Sequence, residues 1–148
     1  MDALELLTQD HKKVKELFTS AKNSEDKKEL KQLFKEIKSE LETHTGIEES
    51  IFYPAMQGHE ELKDMVSESL EEHRQVKTIL RELSRATPGT EKFKAKLKVL
   101  IDDVKHHAEE EEEGKMFPRV RKVVDSADLE ELGEEMETAK HKKVRKAS

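Results

Sequence analysis

Four histidines and two glutamates in this chain have the types and spacing expected of metal ligands. They are His11, His44, His73 and His107, with Glu48 and Glu111 each four residues after a histidine. Residues four apart lie on the same face of a helix, so each His-x-x-x-Glu pair would direct both side chains toward one point. Imidazole and carboxylate groups without thiolates suit iron or manganese, whereas structural zinc sites usually contain cysteine. Because the chain has no cysteine, these residues predict a metal centre with nitrogen and oxygen ligands.

The spacing of the histidines indicates a two-helix unit that occurs twice. His11 and His44 are 33 residues apart (44 − 11), and His73 and His107 are 34 apart (107 − 73). Two such units related by a pseudo-two-fold axis would bring all six side chains to one level. A single histidine on an apolar face is more often a hydrogen-bonded core residue than a ligand. Six buried polar groups at one level are costly, however, and must either satisfy each other or bind metal.

The histidines lie in phase with apolar residues that recur at intervals of three and four, which is the pattern of amphipathic helices. Four such segments are present, at residues 4–18, 30–52, 62–83 and 93–117. The breaks between and after them are predicted near Asn23, Gly58, Pro88 and Pro118. We expect Pro54 and Pro118 to close the second and fourth helices, because proline cannot continue the hydrogen-bond ladder. Short connections favour antiparallel neighbours, so residues 1–122 predict an all-α, antiparallel, up-down-up-down four-helix bundle.

Residues 123–148 are predicted to form a short C-terminal helix and a basic tail. Leu129, Leu132 and Met136 supply a weak apolar stripe, and five basic residues follow from Lys140 onward. We interpret this last stretch as a frayed helix end or a disordered tail. Nothing aromatic or glycine-rich accompanies it, so a nucleic-acid-binding role is not expected.

The composition limits the classes of partner. The chain has 148 residues, with 28 Lys and Arg and 34 Asp and Glu, so its formal net charge is 28 − 34 = −6. A net-acidic chain has no overall attraction for nucleic acid or for anionic membranes. No apolar stretch approaches the ~20 residues that a membrane span needs, and no signal peptide is visible. We therefore expect a soluble cytoplasmic protein whose partner is a small molecule.

Together, the four histidines, the two His-x-x-x-Glu pairs and the Phe-Tyr-Pro and Phe-Pro endings at 52–54 and 117–118 resemble the hemerythrin HHE cation-binding family. The resemblance implies a bundle around two non-haem iron ions, bridged by carboxylates and by an oxo or hydroxo group. It also implies that the six residues named above are the metal ligands, with manganese or zinc less favoured. Ferritin-like di-iron bundles use Glu-x-x-His instead, and no histidine of this chain has a glutamate three residues before it.

One residue departs from the pattern of the oxygen-carrying hemerythrins. Those proteins place a second histidine four residues after the first on the third helix, where this chain has Lys77. A protonated lysine cannot coordinate a metal, and its long stem can carry the ammonium away. We expect one metal to keep an accessible position there, which favours oxidation in air and reaction with peroxide over stable oxygen binding.

The interval from histidine to proline is ten residues on the second helix and eleven on the fourth. Counting forward from His107 selects Glu111 as the ligand, whereas counting back from Pro118 selects Glu112. Glu111 shares an α-helical phase with Val104 and His107, so we predict Glu111. We expect His106 to face solvent. Glu49 and Glu110 could either support the ligands from outside or face solvent, and we favour solvent.

These features predict a non-haem di-iron protein that acts on dioxygen, hydrogen peroxide or a related small oxidant. Reversible oxygen binding or sensing is one version of this function, and peroxide consumption, an enzymatic activity, is another. Two alternatives stay open. The bundle could store or deliver iron, or a metal such as zinc could serve only to hold the helices together.

Overall fold

The protein is an all-α bundle in the computed structural model, which describes residues 1–147 and the side chains of residues 1–145. Its first half consists of α1 (Ala3–Asn23), α2 (Lys27–Ile47), a first π-helical segment (Glu48–Phe52) and α3 (Tyr53–Gln57). A 3-10 turn (Glu60–Leu62) leads into α4 (Lys63–Arg85). The remainder consists of α5 (Glu91–Lys105), a second π-helical segment (His106–Met116), α6 (Phe117–Val123) and α7 (Ser126–Ala147).

These elements form four long bundle helices and a C-terminal helix. The first is α1, the second runs through α2 and α3, the third is α4 and the fourth runs through α5 and α6. The connections are short, and α1 packs on α2 while α4 packs on α5. The predicted four-helix bundle with an added C-terminal helix is confirmed. Among the described residues, no helix is both long enough and apolar enough to cross a membrane.

Three of the four bundle helices begin at residues whose side chains accept hydrogen bonds from free backbone N–H groups. Asp2 accepts a hydrogen bond from the Glu5 N–H at 2.9 Å, and the Glu5 carboxylate accepts one from the Asp2 N–H at 3.4 Å. This reciprocal pair is a capping box. Asp26 caps α2 and Thr90 caps α5, each by accepting one hydrogen bond from a backbone N–H of the first turn. Arg121 of α6 also donates to Asp2 at 2.7 Å, so the start of α1 is held against the end of the fourth bundle helix.

The second and fourth bundle helices pass through their prolines, and the prediction that Pro54 and Pro118 close them is wrong. Each proline follows a π-helical segment, in which backbone bonds reach back five residues, as from the Phe117 N–H to the Glu112 carbonyl. Proline breaks an α-helix because it lacks an N–H and its ring meets the carbonyl four residues before. In a π-helix the turn is wider, so a different carbonyl lies beside the proline ring. The fourth bundle helix therefore ends at Val123 rather than near Pro118.

A polar layer divides the apolar core into two clusters. One cluster includes Leu7 and Phe52, and the other includes Val14 and Phe93. On every bundle helix a histidine lies between residues of the two clusters, as His11 does between Leu7 and Val14 on α1. The four histidines are therefore held at mid-height, with apolar side chains above and below them.

Helix α7 closes against α1, α2 and the first π segment. It is 22 residues long and takes in most of the stretch that was expected to fray, so it is longer than predicted. Gly133 allows the close approach to α1, because a Cβ there would lie 2.7 Å from the Asp2 carbonyl carbon and 2.8 Å from the Ala3 nitrogen. Ser148, the last residue of the predicted tail, lies outside the described residues.

Candidate metal centre

The polar layer brings together five of the six residues that the sequence predicted as ligands. They are His11, His44, Glu48, His73 and His107. Each bundle helix contributes one histidine, and each histidine side chain is at most 8% exposed. The sixth member of the layer is Glu112, which is fully buried.

Glu111, the sequence-based choice, lies outside the layer, and Glu112 takes the place expected for it. In an α-helix, positions four apart share a face, but a π-helix has a longer turn. Residues 106–116 are π-helical, so the residue that shares the face of His107 is five positions later. Glu111 instead accepts from Lys115 at 3.1 Å and approaches His106 on the outside of the bundle.

The first half of the layer is a group of His11, His44 and Glu112. His11 Nε2 lies 3.1 Å from Glu112 Oε1, and the two imidazole rings are 5.0 Å apart between centroids. The histidines come from the first and second bundle helices, whereas the glutamate comes from the fourth. A group of two imidazoles and one carboxylate that could hold a metal ion is therefore assembled from both repeats.

The second half of the layer is the matching group of His73, His107 and Glu48. His73 Nε2 lies 3.0 Å from Glu48 Oε1 and 3.1 Å from His107 Nε2. Glu48 Oε1 is also 3.1 Å from His44 Nε2, and Glu112 Oε2 is 3.6 Å from His107 Nε2. Each carboxylate thus reaches histidines of both groups, as a bridging ligand must.

The layer contains buried polar atoms without hydrogen bonds. Among the described residues these are both carboxylate oxygens of Glu48 and Nε2 of His44. An ionised carboxylate that is fully buried is strongly unfavourable unless the Nε2 atoms of His44 and His73, 3.1 Å and 3.0 Å from Glu48 Oε1, carry protons or a cation takes their place. The donor set, which is four imidazoles and two carboxylates with no thiolate, suits iron or manganese. The layer therefore fits a pair of such cations.

A second ring of carboxylates surrounds the histidines and fixes their orientation. Nδ1 of each histidine donates to one of them: His11 to Glu113 at 2.7 Å, His44 to Asp10 at 3.0 Å, His73 to Glu49 at 2.9 Å and His107 to Glu72 at 2.6 Å. An ionised carboxylate can only accept, so each Nδ1 carries the proton and each Nε2 faces the centre. Such partners orient metal-bound histidines and raise their basicity.

The outer carboxylates follow the same internal repeat as the histidines. Asp10 and Glu72 each come directly before a histidine of the layer, and Glu49 and Glu113 each come directly after a glutamate of the layer. Glu49 was expected either to support a ligand or to face solvent, and the choice of solvent is wrong. The other three carboxylates were not predicted. The signal that could have revealed the ring is that Asp10, Glu49 and Glu72 are each the chain neighbour of a predicted ligand.

The charges of the layer raise the pKa values of His11, His44 and His107. Burial by itself would lower the pKa of His44, but Glu48 and Asp10 outweigh it and raise the pKa to about 10. The pKa of His107 is likewise raised, because Glu112, Glu48 and Glu72 outweigh its burial. Burial by itself would raise the pKa of Glu48, but His44 and its other partners hold it well below the usual value. The layer thus has a strong affinity for positive charge, and a metal cation would compete with protons for the same atoms.

Tyr53 adds an oxygen to the second group and breaks the symmetry of the layer. Its hydroxyl donates to Glu112 Oε2 at 2.6 Å and lies 3.3 Å and 3.4 Å from the Nε2 atoms of His73 and His107. Burial, together with the neighbouring carboxylates, raises its pKa well above 10. At the repeat-related position, Phe117 stacks on His11 with ring centroids 6.2 Å apart. In the sequence, the Phe-Tyr-Pro ending served only as part of the family resemblance, and the role of this hydroxyl was not predicted.

Residues 2–120 match the Hemerythrin HHE cation binding domain family. The chain belongs to this family. A solved structure, that of a hemerythrin HHE cation binding domain-containing protein from Mycobacterium kansasii, a homologue of Rv2633c, is similar in sequence and fold. It is 29% identical and superposes with a TM-score of 0.86 over 97% of this chain and 87% of that chain.

A curated relative of this HHE domain is named a DNA nickase and comes from Nostoc sp. (strain PCC 7120 / SAG 25.82 / UTEX 2576). The two are 28% identical over 142 residues, which is 96% of this chain. This chain spans 40% of the length of that relative.

The HHE domain holds Lys77 away from the layer. Lys77 Nζ donates to Glu49 Oε1 at 2.8 Å, and the side chain is 48% exposed. The ammonium therefore supports the outer carboxylate of His73 and lies toward solvent.

Proposed function

We propose that this HHE domain binds two iron ions in the polar layer and uses them to react with hydrogen peroxide or dioxygen. One ion would be held by His11, His44 and Glu112. The other would be held by His73, His107 and Glu48, with the Tyr53 hydroxyl beside it. The observation that carries the proposal is the pair of matching groups around a buried Glu48 carboxylate that has no hydrogen bond.

The bound metals would supply Lewis acidity and electrons that no side chain of the layer can supply. The protein residues do the rest. The outer carboxylates keep each imidazole in one tautomer, so all four Nε2 atoms face the centre. The apolar clusters on both sides limit the entry of water and strengthen electrostatic interactions within the layer. The Tyr53 hydroxyl holds a proton 2.6 Å from Glu112, where it could be passed to a small oxidant.

DNA cleavage is not carried over from the Nostoc protein. This chain spans 40% of that protein's length, and its net charge of −6 opposes binding to a phosphate backbone. The test below also distinguishes storage or delivery of iron, because a storage protein would take up iron without consuming peroxide.

Metal analysis and peroxide decay test the proposal together. The protein would be unloaded with a chelator, reconstituted with ferrous iron without oxygen, and freed of excess metal. We expect two iron ions per chain and consumption of hydrogen peroxide above that of the same concentration of free iron. One ion or none per chain would overturn the di-iron assignment. Two ions without peroxide consumption would favour iron handling or oxygen sensing.

A further inference from the structure

A cavity leads from the surface to the four histidines of the polar layer. It has a volume of about 340 Å³ and opens between α1 and the fourth bundle helix. His11, His44, His73 and His107 line its inner end. The cavity is therefore a route by which a molecule from solvent could reach the proposed metal centre.

The walls of this cavity are apolar and its volume exceeds the needs of a peroxide or dioxygen molecule. Its apolar wall residues are Val14, Phe18, Leu41, Val76, Ile101 and Val104. A water molecule occupies ~30 Å³ in the liquid, and dioxygen and hydrogen peroxide are only slightly larger. Cavities of roughly 300–1,000 Å³ usually hold organic ligands of moderate size. The walls and volume thus fit a hydrocarbon chain.

The mouth of the cavity is basic. Four lysines line it, Lys12, Lys15, Lys22 and Lys105, together with Glu109 and Glu113. Both carboxylates are already engaged, because Glu109 accepts from Lys15 at 3.3 Å and Glu113 accepts from His11 at 2.7 Å. Lys22 and Lys105 are exposed and form no ion pair with a described residue. The mouth therefore has an excess of positive charge in a chain whose net charge is negative.

We infer that this cavity binds the anion of a medium-chain fatty acid. The carboxylate lies at the lysines of the mouth, and the hydrocarbon chain follows the apolar walls toward the four histidines. The two features are independent, since the walls select the chain and the mouth selects the charge. As a binding site the cavity does not depend on the proposed function. Only the consequence that a bound chain controls access to the metal centre rests on it.

Calorimetric titration of the metal-free protein, residues 1–148, with decanoate, decanol and acetate at low salt tests the inference. We expect decanoate to bind at least about tenfold more tightly than acetate, because its chain is buried, and more tightly than decanol, because the alcohol lacks the charge. Decanoate that binds no better than acetate would overturn the inference. Equal binding of decanoate and decanol would overturn the assignment to an anion.

Two sets of variants separate the walls from the mouth. The double variant Lys22→Glu with Lys105→Glu should weaken the binding of decanoate by about tenfold and leave the binding of decanol unchanged. Lys98→Glu is the control, since Lys98 is an exposed lysine of α5 outside the cavity, and it should change the binding of neither ligand. Val104→Phe should fill the cavity and weaken the binding of both ligands. Val99→Phe, at a 49% exposed position of the same helix, should leave the binding of both unchanged. If Val104→Phe misfolds by circular dichroism, the charge variants still decide.

Failure of the fatty-acid site can be distinguished from failure of the proposed metal function. Loss of decanoate binding in a protein that loads two iron ions overturns only the fatty-acid site. Binding of decanoate by a protein that never loads an iron pair overturns only the metal function. When both hold, saturating decanoate should slow removal of iron by a chelator, since the chain occupies the route to the layer.

Discussion

Lys140 of the C-terminal helix forms an ion pair with the buried carboxylate of Asp10 on α1. The other carboxylate oxygen of Asp10 accepts the hydrogen bond from His44 Nδ1. Burial by itself would raise the pKa of Asp10, but His44 and Lys140 together lower it. Helix α7 thus supports a histidine of the proposed metal centre, although none of its described side chains, up to residue 145, lies in the polar layer.

Replacing Lys140 should weaken metal binding from a distance. Lys140→Met keeps most of the apolar stem but leaves Asp10 buried with one partner instead of two, so His44 is held less firmly. Loss of such outer partners typically costs 10- to 100-fold in affinity, and we expect about tenfold here, measured by competition with a chelator. Lys142→Met, an exposed lysine of the same helix, should leave affinity unchanged. Equal effects of the two substitutions would refute the link.

Replacing each of two neighbouring glutamates in turn by glutamine tests the register of the second π segment. Glu112→Gln removes a charge that reaches both groups of the layer, so reconstituted iron should fall from two ions per chain to one or fewer. Glu111→Gln removes a carboxylate that faces Lys115 and should keep both ions. The measurement is metal content after gel filtration. The reverse pattern would mean that residues 106–116 are α-helical when metal is bound.

Removing the Tyr53 hydroxyl makes the second group more like the first, where Phe117 occupies the related position. We expect Tyr53→Phe to retain two iron ions but to consume peroxide at least roughly tenfold more slowly, because a positioned proton donor is lost. Peroxide decay measured across pH, alongside metal content, would test this. An unchanged rate at every pH would exclude the tyrosine from the reaction, and loss of one iron would make it a ligand instead.

The capping pair at the start of α1 predicts a pH-dependent contribution to stability. Burial by itself would raise the pKa of Asp2, but hydrogen bonds from Arg121 and the Glu5 backbone outweigh it and lower the pKa below 3.8. A lowered folded-state pKa stabilises the fold above the unfolded value, and this contribution is lost as pH falls through the folded-state pKa.

Asp2→Asn should therefore lower the free energy of unfolding by about 0.5–1 kcal/mol at neutral pH, with the difference shrinking as the pH falls below 3.8. Urea unfolding of the metal-free proteins at several pH values measures it. Asp64→Asn removes an acidic residue from the first turn of α4 and controls for the helix-dipole part. A difference that persisted unchanged in acid would show that the charge of Asp2 is not the cause.

Much of the fold and of the layer could be predicted from the sequence, because the information is periodic. Apolar residues recur with the helical period, and one histidine interrupts each stripe. The α-helical period selected Glu111 instead of Glu112, because residues 106–116 are π-helical. The longer interval from His107 to Pro118 was the mark of that change, since counting back from Pro118 selects Glu112. The same change of period carries the fourth bundle helix past Pro118. Helix α7 was underestimated because its stability comes from packing against α1 and α2, which its sparse apolar stripe does not reveal.

The outer carboxylates and Tyr53 escaped prediction for a different reason. A residue next to a ligand points about 100° away around its own helix and so reads as solvent-facing. Asp10 and Glu49 find their histidines on neighbouring helices, and those contacts depend on how the helices pack. The Tyr53 hydroxyl likewise meets Glu112 across 59 residues of sequence. Local pattern alone carries no signal for such contacts.

The division of the core into two clusters bears on how the chain unfolds. Each cluster joins several helices by itself, while the layer between them contains buried carboxylates, of which Glu48 has no hydrogen bond. Without a cation the two ends could open as separate cooperative units, with local opening concentrated at mid-height. Two cations bridging all four bundle helices would join these units into one. Occupancy of the centre would then set the cooperativity of unfolding as well as the chemistry of the protein.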